Sequence, residues 1–124
     1  MRILVIEDDL MQCRQLESHI AGLGHRAESA VDVQSAWEAA QGNPPDAILL
    51  DLNIPGGTGL KFLNQRNGSN RLRAVPVIVI TGVEDPMVRR MAEQHAVEII
   101  LSKPVDYRRL DAVLQKVSDR LAAK

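Results

Sequence analysis

Aromatic side chains are almost missing from this 124-residue sequence: Trp37, Phe62 and Tyr107 are all it has. That leaves no platform for stacking bases and no belt for a membrane interface. A single cysteine, Cys13, excludes an internal disulfide and predicts a reducing, cytoplasmic setting. No apolar run approaches the ~20 residues of a transmembrane helix, and the N-terminus carries no signal-peptide pattern. A net charge of −1 argues against direct nucleic-acid binding. No internal repeat, low-complexity stretch or linker divides the chain. The expectation is one domain over residues 1–124, long enough to bury roughly two thirds of its unfolded surface in an aliphatic core.

What the chain does have is short, continuous apolar runs rich in Val and Ile: Arg2 to Ile6, Ala47 to Leu50, Val77 to Ile80 and Ile99 to Leu101. Runs of this kind suit strands buried on both faces of a parallel sheet. A fifth, weaker strand around Arg26 to Ala30 reads as short and near an edge. Helical segments alternate with them: Leu10 to Leu23, Asp32 to Gln41, Thr58 to Arg66, Asp85-Pro86 to about His95, and Asp106 to Leu121. Asp9 and Asp85 stand where helix caps belong, and Pro86 suits a first helical position. The alternation predicts an α/β doubly wound parallel sheet with helices on both faces. Such sheets bind ligands at the carboxyl ends of their strands.

Those ends carry the chemistry. The first run opens into Glu7-Asp8-Asp9, the third into Asp51 and a glycine-rich loop, the fourth into Thr81-Gly82 and the last into Lys103-Pro104. Glu7, Asp8 and Asp51 would converge at one mouth, where three carboxylates repel unless a cation compensates. Oxygen donors without His or Cys suit a hard ion, Mg²⁺ first. With the Thr81 hydroxyl and the Lys103 amine, the set could hold a phosphoryl group, with Asp51 as nucleophile. Gly56-Gly57-Thr58-Gly59 lacks the Gly-Lys-Ser/Thr of a nucleotide-binding P-loop.

Here the sequence resembles the receiver domain of two-component response regulators, through Glu7-Asp8, Asp51, Asn53, Pro55, Gly59, Thr81, Lys103 and Pro104 over essentially the whole chain. The intervals of 43 residues from Asp8 to Asp51, 30 from Asp51 to Thr81 and 22 from Thr81 to Lys103 match that family. The resemblance implies a flavodoxin-like, CheY-like fold with five strands in the order 2-1-3-4-5 and five helices. It implies Asp51 as phosphoacceptor, Asp8 as a direct Mg²⁺ ligand, Glu7 as an acid acting mostly through water, and the Asn53 backbone carbonyl as a further ligand. Thr81 would be the switch hydroxyl and Lys103 the phosphate-pairing amine, with a cis peptide before Pro104. The implied partners are a sensor histidine kinase or phosphotransfer protein, with a homodimer or output partner on the last two helices, where Arg89, Arg90, Arg108 and Arg109 fall. The sequence departs from the family pattern at Ile100, where many receivers have an aromatic residue, at Ala96, usually Gly, and at Val83, where some have an acid or amide.

Plainer readings compete at each position. An Asp after a strand is commonly a turn former, and an acidic helix start suffices for Asp9. His19, His25 and His95 read as ordinary surface histidines, and Trp37 as partial packing on its helix. Two other functions compete as well. A haloacid dehalogenase-like phosphatase needs a second acid two residues after the nucleophile, where this chain has Asn53. A receiver-like binding module independent of phosphorylation normally lacks an acid or the acceptor, and both are present here.

Overall fold

The computed structural model describes residues 1–123. Strands β1 (Arg2–Ile6), β2 (Arg26–Ala30), β3 (Ala47–Leu50), β4 (Val77–Thr81) and β5 (Ile99–Ser102) form one sheet in the order β2-β1-β3-β4-β5. Every pairing is parallel. Helices α1 (Leu10–Gly22), α2 (Val33–Gly42), α3 (Thr58–Asn67), α4 (Pro86–Glu93) and α5 (Tyr107–Ala122) connect and follow the strands.

Alternation along each strand divides the core in two, because successive side chains leave a strand on opposite faces. Leu4, Ile6, Ile48, Leu50, Val77 and Val79 pack against Val33, Ala36, Ala40, Phe62, Leu63 and Ala92 from α2, α3 and α4. Ile3, Val5, Ala47, Leu49, Ile78 and Ile80 point the other way, onto Cys13, Leu16, Ile20, Leu110, Leu114 and Val117 from α1 and α5. Full burial of each branched side chain stabilises by about 1.5–3 kcal/mol. The polar sequence of β2, Arg-Ala-Glu-Ser-Ala, is tolerated because the strand lies at an edge and pairs only with β1.

Helix starts follow their capping residues. Asp9 accepts from the Met11 and Gln12 amides, Asp85 from Met87 and Asp106 from Arg108 and Arg109, while Asp32 and Ser35 form a reciprocal capping box. The segments expected to begin at Asp32 and Asp106 therefore start one residue later, with the aspartate outside as cap. Helix α4 ends at Glu93, short of the expected His95, because the chain turns through Ala96 at φ 56° to enter β5. That left-handed backbone is one that glycine adopts without the steric cost a Cβ brings. Trp37 packs edge-on against Phe62 with ring centroids 6.3 Å apart.

Candidate functional site: an acidic mouth spanned by a lysine

Backbone hydrogen bonds carry the sheet past its strand ends and fix the mouth. The Asp51 amide donates to the Ile6 carbonyl at 3.0 Å, the Glu7 amide to Ala30 at 3.0 Å, and the Lys103 amide to Thr81 at 3.0 Å. Asp51, Glu7 and Thr81 are buried although polar. The loop after β3 turns on Gly56 and Gly57, with φ of 95° and 116°, and folds back so that the Gly59 amide donates to Leu52 O at 2.9 Å. A Cβ at Gly59 would lie 2.8 Å from both Asp51 O and Leu52 Cα, so only glycine lets α3 start this close to the aspartate.

Both carboxylate oxygens of Asp51 are engaged. Oδ1 accepts from the Thr81 hydroxyl at 3.0 Å and from the Asn53 amide at 3.0 Å. Oδ2 lies 2.8 Å from Lys103 Nζ, and that nitrogen also stands 2.7 Å from Glu7 Oε2. The second oxygen of Glu7 accepts from the Asp9 amide at 3.1 Å. Burial pulls the Lys103 ammonium down, but hydrogen bonds to Asp51 and Glu7 and their charges outweigh it and hold the group above its ordinary value. For Glu7, burial dominates: despite the lysine, its carboxyl is pushed above the usual range, with the Asp51 charge adding to the effect. The two directions are compatible, since one ammonium shared between two carboxylates satisfies neither fully.

The structure therefore brings together Glu7, Asp8, Asp51, Thr81 and Lys103. One carboxylate oxygen from each of the three acids, Glu7, Asp8 and Asp51, lies within 4.8 Å of the other two. Asp8 is the exposed member and, among the described residues, has no cationic side chain within 4 Å. Three carboxylates against one ammonium leave surplus negative charge, and the donors are all oxygen, so the residues fit a hard divalent cation. Asp9 instead uses its side chain as the α1 cap. The Lys103–Pro104 peptide is cis.

Sequence reasoning missed three arrangements. Arg66 is buried at the end of α3 and reaches carbonyls on two other segments. The histidines are not idle: His19 Nε2 lies 2.6 Å from Asp111 Oδ1 with its ring on Tyr107, His25 Nδ1 lies 3.0 Å from the N-terminal amine, and His95 Nδ1 lies 2.7 Å from Asn67 Nδ2. No sequence signal marks these pairs, because their partners are distant in the chain. Thr81 is also already turned onto Asp51 in the unmodified domain.

A doubly wound sheet with an acid cluster, a hydroxyl and an amine at its carboxyl edge defines a class of α/β domain whose ligand site lies at that edge. The comparisons narrow it. Residues 3–115 match the model of the response regulator receiver domain, and the chain belongs to that family. The phosphate regulon transcriptional regulatory protein PhoB of Escherichia coli is 32% identical over 127 residues, covering 98% of this chain and 53% of that protein. Response regulator PleD of Caulobacter vibrioides is 30% identical over 105 residues, covering 85% of this chain and 23% of that protein. The chain thus spans about half the length of PhoB and less of PleD. Among solved structures, the chemotaxis response regulator CheY4 of Vibrio cholerae superposes with a TM-score of 0.82 at 26% identity, covering 94% of this chain and 97% of that one. A two-component response regulator from Clostridium difficile reaches 0.88 at 21% identity, covering 98% of each chain. Neither the phosphatase nor the phosphorylation-independent module is favoured by these relatives, which are response regulators.

Proposed function

We propose that residues 1–124 act as one receiver domain in which Asp51 accepts a phosphoryl group from a sensor histidine kinase or a phosphotransfer protein. One observation carries this: of the carboxylates at the mouth, Asp51 alone has both the Thr81 hydroxyl and the Lys103 ammonium on its oxygens. These are the donors that a phosphoryl group on that carboxylate needs. A carboxylate oxygen of Asp51 attacks phosphorus and the P–N bond to the donor histidine breaks. The bonding electron pair stays with the imidazole, which takes up a proton. Lys103 then pairs with the added anionic oxygens, and Thr81 transfers its hydrogen bond from carboxylate to phosphoryl. Glu7, Asp8, Asp51 and the Asn53 carbonyl would hold Mg²⁺, which when bound offsets the charge that builds on the transferred group. The domain serves as a switch, catalysing at most its own phosphorylation and dephosphorylation.

A groove lined by Gln12, Gln15, Leu16, Lys103, Pro104, Val105 and Tyr107 opens beside the site, and the apolar Leu10 and Met11 are exposed close by on α1. These offer a donor protein a face within reach of Asp51. The altered surface is read by an output domain, a partner or a second copy through α4 and α5, where Met87 and Met91 are exposed. The setting is cytoplasmic; among the described residues no helix is long and apolar enough to cross a membrane. Incubation with acetyl phosphate and Mg²⁺ should add one phosphate to the wild type by mass spectrometry and none to Asp51→Asn. Equal labelling of the two proteins removes this reading.

A further inference from the structure

Arg66, at the end of α3, is 3% exposed, yet among the described residues no carboxylate lies within ion-pair distance of it. Oxygens without formal charge satisfy it instead. Its Nε donates to Val75 O at 3.1 Å, and its Nη1 to His95 O at 3.1 Å and to Asn67 Oδ1 at 3.2 Å. The Asn67 amide, with its oxygen so engaged, turns Nδ2 to within 2.7 Å of His95 Nδ1. His95 lies just past α4, where its own amide still bonds back to Ala92 O at 3.1 Å.

The direction of this chain of bonds is set where it begins. A guanidinium only donates, so Asn67 Oδ1 must accept and Nδ2 must donate. His95 Nδ1 must then present its lone pair, with the ring proton on Nε2. An imidazolium has no lone pair, and flipping the amide would turn its NH₂ toward the guanidinium. The contact between Asn67 and His95 therefore requires a neutral ring. We propose that Arg66, Asn67 and His95 form a proton-sensitive latch joining the ends of α3 and α4, closed while His95 is neutral and released when it is protonated.

The surrounding charges agree. Burial, and then the Arg66 charge, hold His95 below the ordinary histidine range. The carboxylate that bears on Arg66 is Glu98, and it is already paired with Arg120 of α5. A histidine held below its unfolded value contributes stability that is present above about pH 6.5 and lost as pH falls through its folded value. Acid thus loosens the end of α4, the helix that exposes Met87 and Met91, without any change at Asp51.

The test is an NMR titration of the His95 ring in the full chain, with no metal and no phosphodonor. This keeps its outcome separate from that of phosphorylation. The folded midpoint should lie below that of the same histidine in the urea-unfolded chain, with Nδ1 as the unprotonated nitrogen. Asn67 is exposed, so its variants should fold. Asn67→Ala should raise the midpoint and Asn67→Asp should raise it further. Below the wild-type midpoint, the protection factors of amides in the last turn of α4, corrected for the intrinsic exchange rate at each pH, should fall several-fold. His95→Gln, neutral at every pH, should show no such step. A folded midpoint equal to the unfolded one and unmoved by Asn67→Ala, or a ring protonated on Nδ1 in its neutral form, overturns the latch.

Discussion

Lys103 Nζ stands 2.8 Å from Asp51 Oδ2 and, from the same position, 2.7 Å from Glu7 Oε2, so one partly covered ammonium bridges two buried carboxylates. The lysine occupies the place of compensating charge in the unmodified domain. Replacing it by Met leaves two carboxylates without a cation, which for a buried pair costs about 3–5 kcal/mol. The Lys103 side chain retains 19% of its exposure, and solvent screening reduces the loss to about 2 kcal/mol. Mg²⁺ should restore more stability to Lys103→Met than it adds to the wild type, because it no longer competes with an ammonium for the same oxygens. Urea unfolding with and without Mg²⁺ measures both effects. Equal Mg²⁺ increments in the two proteins would show that lysine and metal do not share these carboxylates.

Gly59 tests how tightly Asp51 is held from behind. A methyl group there meets backbone, Asp51 O and Leu52 Cα at 2.8 Å, and backbone cannot swing aside as a flexible side chain can. Gly59→Ala should destabilise by about 2 kcal/mol, within the ordinary range for overpacking. It should also slow labelling of Asp51 by acetyl phosphate, since the Cβ pushes on the Asp51 backbone. Stability and labelling both at wild-type level would mean that the loop relaxes freely and does not position Asp51.

The four apolar runs were legible as strands because their residues are buried on both faces, and two caps were legible because Asp9 and Asp85 each precede a helix, whereas Asp106 reads equally well as a first helical residue. The site residues were legible because each ends a strand, and a parallel sheet gathers such ends at one edge. The pairing inside the site was not. Nothing in the sequence says that Lys103 reaches Glu7 as well as Asp51, or that the Thr81 hydroxyl bonds Asp51. The buried Arg66 was illegible for a related reason: its partners are backbone carbonyls of Val75 and His95, and any residue type supplies one.

Ala96 makes the opposite test, a substitution that should stabilise. Its φ of 56° places a Cβ in the left-handed region, costing about 1–2 kcal/mol, while glycine adds about 0.5–1 kcal/mol of unfolded-chain entropy. The difference favours glycine, so Ala96→Gly should gain about 0.5–1 kcal/mol in thermal or urea unfolding. A loss of stability would show that the Ala96 methyl makes a compensating contact.

The final prediction concerns what moves when Asp51 is modified. Thr81 Oγ1 already bonds Asp51 Oδ1, and the same oxygen accepts from the Val83 amide at 3.2 Å. A phosphoryl group must draw the hydroxyl off the carboxylate, and the Val83 amide follows the oxygen that it binds. Motion is therefore passed directly to the loop from Gly82 to Asp85, whose side chain caps α4 through the Met87 amide. Ile100 lies on the neighbouring strand, half-buried and packed with the cluster that includes Val83. It has neither ring nor hydroxyl, and its branched Cβ leaves few χ1 options, so it cannot answer by a large rotation. Amide chemical shifts with and without beryllofluoride, a phosphoryl mimic, should change most from Gly82 to Met87 and less around Ile100 and α5. Larger changes at Ile100 and along α5 than in that loop would show that the switch runs through β5 instead of through the Thr81–Val83 bond.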